Sequence, residues 1–330
     1  MTIVEDMLRW VSGAARPLRD LAALPGPAAE FLHADRASPL AEADPPAALA
    51  RFLRRQWNDD GGFAGRGGGS DLYYTVFGLQ AMAGLGAEIP LHRVREFLAG
   101  FGIGENLDLV HLGCLMRAWW LESSLSGASF GAATRRAMLA QLDAFRSADG
   151  GFALLRGESS SSVYATFLAV AACQDASVPL PQPERAARAV WAMQASDGGF
   201  ANDADFAVPT TPSTAAALAT LRHLGQTPPE SAVQWLLGQA CPEGGFYAFD
   251  GAPEPDLLST ATALHAVETA NLPAHAQTAV DAKLDALADA NRRFLSQLWT
   301  PAGGFRGSQS DDQPDVEYTF YGLLALGHLA

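Results

Sequence analysis

The chain is short of positive charge, of cysteine and of long apolar runs. Its 330 residues hold 22 Lys and Arg against 36 Asp and Glu, a net charge of −14. Such a surface repels phosphate backbones, and no Lys/Arg stripe with interleaved aromatics offsets it, so nucleic-acid binding is not expected. An anionic substrate would need a local basic group to overcome the overall field. The 3 cysteines, Cys114, Cys173 and Cys241, are odd in number and far apart. That argues against a disulfide framework and against a CxxC metal knuckle; each reads as a small buried hydrophobe. No run of about 18 apolar residues is present, so no transmembrane segment is expected. The opening "MTIVEDMLRW" carries acids where a secretory leader would carry a basic patch and an apolar run. These features predict a cytoplasmic protein, and 48% apolar with 18% charged residues suits a globular one.

Gly-Gly-Phe, by contrast, recurs. "DDGGF", "ADGGF", "SDGGF", "PEGGF" and "PAGGF" place Phe at 63, 152, 200, 246 and 305. The first interval is about twice the others, and "FGIGENLDLVHLGCLMRAWW" at 101–120 fits there as a degenerate copy, with Gly102 and Gly104 for the pair. Six units at a period near 50 residues imply a repeat architecture whose units bury their cores only against each other.

Two kinds of helix alternate along the units. The stretches 71–86, 213–225, 259–270 and 316–329 are apolar nearly all round, as helices buried on both sides are. The stretches 46–57, 134–145, 184–194 and 231–240 have one charged and one apolar face, as outer helices have. The pattern predicts an all-α fold, an (α/α)6 barrel of six helical hairpins over 45–330. Residues 1–44 read as an N-terminal helical extension, broken at Pro25 and Pro27, that closes one end. Glycine tolerates positive φ and close backbone approach, so each pair would end an outer helix and turn the chain inward, with Phe plugging the gap between hairpins.

"QW" before "DDGGF", "GR…DLYYTVFGLQAM", "MQASDGGF" and "DVEYTFYGLLALG" resemble the repeats of protein prenyltransferase β-subunits and, more widely, of squalene–hopene and other class II terpene cyclases. The resemblance covers roughly residues 45–330 and implies the toroid of helical hairpins. It also implies where chemistry would sit. The prenyltransferases hold zinc with a D-x-C motif and a later His. Here "DLLST" at 256–260 and "DVEYT" at 315–319 put Leu258 at the Cys position and Tyr318 at the His position. The D-x-D-D motif of class II cyclases has no counterpart before the Thr that starts an inner helix. No cofactor is predicted on these grounds, with Mg2+ or Zn2+ as the fallback. A proton-initiated cyclase would then depend on a single carboxylic acid of raised pKa.

The first two repeats fit the family pattern better. Asp71 stands at the Asp position, Tyr73 at the Cys position and His111 at the His position, with Asp108 nearby. These four are the candidate catalytic residues, because acid–base work needs a carboxylate and an imidazole together. Arg66 resembles the family's diphosphate-contacting basic residue and is the candidate for an anionic head group. As N-caps, Asp71 and Asp108 would also have a purely structural role. For the lumen wall, Tyr74, Phe77, Trp119, Tyr164, Tyr318 and Tyr321 are the candidate substrate-binding residues; Phe167, Phe320 and Trp120 also fall at or near inner helices. Aromatic faces suit an isoprenoid chain and stabilise carbocations.

These features predict a prenyltransferase- or terpene cyclase-like enzyme acting on an isoprenoid or other hydrophobic substrate in the lumen. Two alternatives stand beside it. One is a non-catalytic barrel that binds a hydrophobic ligand or a protein partner. The other is a repurposed barrel with acid–base chemistry at Asp71 and His111.

Overall fold

The computed structural model describes residues 45–329 and, before them, residues 5, 7–9, 11 and 14. Among the described residues from 45 onward, twelve α-helices follow one another: α1 (Pro45–Arg55), α2 (Leu72–Gly84), α3 (Leu91–Ala99), α4 (Leu109–Ser126), α5 (Ala132–Leu142), α6 (Val163–Asp175), α7 (Pro183–Trp191), α8 (Thr211–His223), α9 (Glu230–Gly238), α10 (Leu257–Glu268), α11 (Ala274–Leu298) and α12 (Val316–His328). The even-numbered helices form the inner ring. Each packs on the next, and α12 packs back on α2, so the ring closes. The odd-numbered helices lie outside them. Among the described residues, strand structure is confined to one antiparallel pair of two-residue strands, β1 (Phe63–Ala64) and β2 (Ser70–Asp71), and to isolated bridges. The all-helical toroid expected from the repeat is what forms.

Five Gly-Gly-Phe copies build the same joint five times. The first glycine always has positive φ: +96° at Gly61, +101° at Gly150 and Gly198, +113° at Gly244 and +93° at Gly303. At Gly303 a Cβ would also lie 2.7 Å from the carbonyl oxygen of Ala48 in α1, so the last repeat can dock on the first outer helix only because no side chain intervenes. The Phe is then fully buried, and its N–H donates to the hydroxyl of a Thr four residues past the N-cap of the inner helix. The five bonds are Phe63 to Thr75, Phe152 to Thr166, Phe200 to Thr214, Phe246 to Thr260 and Phe305 to Thr319, at 2.9–3.1 Å. A buried N–H without such a partner is costly, which is why the motif couples glycine, Phe and a distant Thr.

The degenerate second repeat departs from this. Leu112 takes the Thr position, and Gly104 packs against the Leu112 and Leu107 side chains instead of an outer helix. Apolar contact has replaced the buried hydrogen bond there.

Of the N-terminal segment, Glu5, Met7–Arg9 and Val11 are helical, and Val11 is buried against Gly84 at the C-terminal end of α2. The Pro25 and Pro27 break lies outside the described residues.

Candidate functional site

Every inner helix starts at a capping residue: Asp71, Asp108, Ser162, Thr210, Asp256 and Asp315 each accept a hydrogen bond from a first-turn backbone N–H through the side chain. The caps supply a common zero for depth. Two residues past the cap lie Tyr73, Val110, Tyr164, Pro212, Leu258 and Glu317. Six past it lie Phe77, Cys114, Leu168, Ala216, Thr262 and Tyr321. Nine past it lie Gln80, Arg117, Ala171, Ala219, His265 and Leu324. All but Val110, which faces a groove at the rim, line the central cavity. At about 1.5 Å per helical residue the layers span about 10 Å of the barrel axis.

The lumen has a main chamber of about 400 Å³ on the α8, α10 and α12 side and a narrow arm of about 90 Å³ between α2, α4 and α6. Tyr73, Tyr164, Phe167, Tyr321 and Met7 border both. Phe77 packs edge-on to Tyr73 with centroids 4.9 Å apart and lies 5.5 Å from Tyr321. The phenols are neutral groups in an apolar wall: burial pushes Tyr73, Tyr164 and Tyr321 above the ordinary phenol range.

One carboxyl stands in the upper layer. Glu317 lines the chamber, and Tyr73 donates a hydrogen bond to its Oε1 at 2.6 Å. Burial raises the Glu317 carboxyl above the usual range, with the Tyr73 bond acting against the rise. Across the chamber, the His265 ring lies in the deepest layer and its Nδ1 is 3.1 Å from Nε2 of His328, whose Nδ1 bonds Glu268. Burial, with the nearby Asp281, pushes Glu268 up to about 7.

At the rim, the structure brings together Asp71, His111 and Asp108. His111 Nδ1 lies 2.8 Å from Asp108 and Nε2 lies 3.4 Å from Asp71, so the imidazole spans the caps of neighbouring inner helices. Burial alone would lower the His111 pKa; its bond to Asp108 and the two carboxylate charges outweigh that and hold it above 6.5. All three side chains are more than a third exposed. A broad groove of about 970 Å³ opens beside Asp108, lined by residues of loops 153–162 and 202–205.

Several expected placements differ. Arg66 does not join the rim cluster. It donates from Nε to Asp315 at 2.8 Å, from Nη2 to Asp311 at 2.5 Å and to the Gln313 carbonyl at 3.1 Å, binding the first repeat to the last. An anionic head group would have to displace two carboxylates there. Tyr74 and Tyr318, one position beyond the upper layer, turn out of the lumen onto the loop glycines Gly65 and Gly307, where a Cβ would lie 2.4 and 2.5 Å from their rings. Trp119 stacks on Phe130, 5.8 Å between centroids, in the loop leading to α5. These three do not line the cavity. Tyr73, Phe77, Tyr164 and Tyr321 do. Glu317, His265, Gln80 and Arg117 were missed, although counting two, six and nine residues from each cap finds them.

Zinc does not fit. Leu258 faces the chamber where a thiolate would be needed, and among the described residues no three His, Cys, Asp or Glu side chains converge on a metal position.

Comparison with known proteins matches this architecture. Many solved structures share it, among them three of differing activity. Protein geranylgeranyltransferase-I from Candida albicans, complexed with GGPP, has TM-score 0.61 at 14% identity over 86% of this chain and 90% of that one. A point variant of the type II terpene cyclase MstE from Scytonema, in complex with geranylgeranyl dihydroxybenzoate, gives 0.58 at 16% over 88% and 96%. An inactive variant of the α-1,6-mannanase GH76A of Salegentibacter, with α-1,6-mannotriose, gives 0.56 at 13% over 86% and 97%. Identities this low establish the fold alone, and the fold carries different chemistries. No curated protein sequence matches the chain. The sequence profile of the prenyltransferase alpha-alpha toroid domain matches residues 47–251 and 263–330, and the chain belongs to that family.

Proposed function

We propose that the protein is a terpene cyclase-like enzyme that takes an isoprenoid or similar apolar chain into the lumen and starts the reaction by protonating it from Glu317. The carrying observation is the one carboxyl that lines the chamber among the described residues, half-buried and of raised pKa, in a wall that includes the rings of Tyr73, Tyr164, Phe167 and Tyr321. Tyr73 holds Oε1, which leaves Oε2 to carry the proton. Transfer of that proton to an alkene carbon breaks the O–H bond, uses the π electrons to make a C–H bond, and leaves a tertiary cation beside a carboxylate. The faces of Phe77, Tyr164, Phe167 and Tyr321 stabilise the cation as it moves. Loss of one proton from the cyclised cation restores the balance, so the net reaction is an isomerisation. Burial of the chain at about 25 cal/mol per Å² drives binding. Met7 stands in the wall shared by both parts of the lumen.

A second reading places acid–base chemistry at the rim, favoured by the His111 bridge between Asp71 and Asp108. One experiment separates the two. Wild type, Glu317→Gln and His111→Ala are incubated with geranylgeraniol, and products are read by gas chromatography–mass spectrometry. The lumen reading expects a cyclic isomer from wild type and His111→Ala, with at least a hundredfold loss in Glu317→Gln. Full turnover in Glu317→Gln would sink it, and loss confined to His111→Ala would favour the rim.

A further inference from the structure

The deepest layer holds polar groups that the chemistry above does not use. Gln80 on α2 and Arg117 on α4 lie on neighbouring inner helices at the same depth, and both face the narrow arm. Gln80 is 1% exposed, and its amide nitrogen has no hydrogen-bond partner. The Arg117 guanidinium is 13% exposed and makes one bond, from Nε to Asp175 at 3.0 Å; neither Nη bonds any described residue. Asp175 behind it is almost fully buried. Among the described residues, Arg117 is the one Lys or Arg that lines either part of the lumen.

Unmet donors in a buried site cost free energy unless something accepts from them. Here a planar guanidinium fork, held in orientation through its Nε, faces one small space, and the Gln80 side chain lines the same space with its amide nitrogen enclosed and without an acceptor. That arrangement matches the two coplanar oxygens of a carboxylate. Size narrows the choice. An arm of about 90 Å³ takes a carboxylate; a diphosphate with its counterions needs more. The remaining lining is mostly apolar, with Phe77, Leu168, Ala171 and Phe320 beside the rings of Tyr73, Tyr164 and Tyr321, and accommodates the attached chain. Charge agrees as well. In a protein of net charge −14, an anion needs a local cation, and Arg66 is already committed to Asp311 and Asp315.

We infer that Gln80 and Arg117 form a carboxylate-binding subsite at the deep end of the lumen, so that the ligand is an apolar chain ending in a carboxylate. This rests on the lumen reading and deepens it: the head group sits deep, and the distal end of the chain lies toward Glu317.

The test compares two probes that differ only at the head, geranylgeranoic acid and geranylgeraniol, by isothermal titration at pH 7.5. Wild type should bind the acid at least tenfold tighter than the alcohol. The double variant Arg117→Gln/Asp175→Asn removes the guanidinium without stranding a buried carboxylate; it should lose the preference and keep its affinity for the alcohol. Gln80→Leu, which disturbs no charge, should weaken acid binding several-fold, and it decides the matter if the double variant does not fold. Equal binding of both probes by wild type, or a preference that survives in the variants, overturns the subsite and leaves the lumen reading standing. Failure of both probes to bind refutes the lumen reading and the subsite with it.

Discussion

Replacing Thr214 by Val removes one hydroxyl from a position that is 0% exposed and changes little else in shape. The hydroxyl accepts the Phe200 N–H at 2.9 Å and donates a longer bond, 3.4 Å, to the Phe200 carbonyl, which keeps the Thr210 N–H as a donor in the variant. Val fills the same space with a methyl group, so no cavity opens and the transfer term slightly favours the variant. What remains is the Phe200 N–H, buried with no acceptor, at a cost of about 1–3 kcal/mol. Thr260→Val in the next repeat removes the equivalent bond, from Phe246 at 2.9 Å. The two sites share no hydrogen-bond partner, so the double variant should lose the sum to within about 0.5 kcal/mol. Urea unfolding followed by circular dichroism, with reversibility checked, gives each number. Thr278→Val is the control: that hydroxyl is exposed and only bonds back to the Ala274 carbonyl of its own helix, so the change should stay within about 0.5 kcal/mol. A loss below about 0.5 kcal/mol in Thr214→Val would refute the claim that Gly-Gly-Phe works by delivering its N–H to a Thr of the inner helix.

His111 and Gly303 offer two further checks. The folded-state pKa of His111 is raised, so its contribution is fully present below the unfolded value near 6.5 and is lost as pH rises through the folded one. His111→Ala should therefore cost more stability at pH 5.5 than at pH 9, by less than about 1 kcal/mol because the groups are partly exposed; a cost that does not change with pH would refute it. Gly303→Ala should cost more than about 2 kcal/mol, from positive φ and from the contact with the Ala48 carbonyl, whereas Gly67→Ala, which meets nothing within 4 Å, should be near neutral by thermal melting. Equal melting temperatures for the two would count against the joint.

The fold was legible because its joints demand particular residue types. Positive φ beside a neighbouring backbone requires Gly, and the sequence repeats that requirement at a countable interval. Most of the lumen was not legible by the same means. Inner helices are apolar on every side, so hydrophobicity does not separate a ring that faces the cavity, such as Tyr164, from one that faces an outer neighbour, such as Trp119. Arg66 was read with its local neighbours, but its partners lie about 245 residues away in sequence, beyond any local pattern. Glu317 lies outside the acid–imidazole pattern that singles out Asp71, Asp108 and His111; its position two residues past the Asp315 cap is the better guide, since depth in the barrel follows distance from the cap.

The closed ring also determines how the molecule comes apart. In an open stack of repeats the end units have one neighbour each and fray first, so unfolding proceeds inward from the termini. Here α12 packs on α2, Gly303 docks on α1, and Arg66 bonds across to Asp311 and Asp315, so the first and last repeats each have two neighbours like the rest. No unit is terminal, and opening any single seam exposes two apolar faces at once. The toroid therefore has no terminal repeat from which to melt, and a single cooperative unfolding transition is the expected consequence.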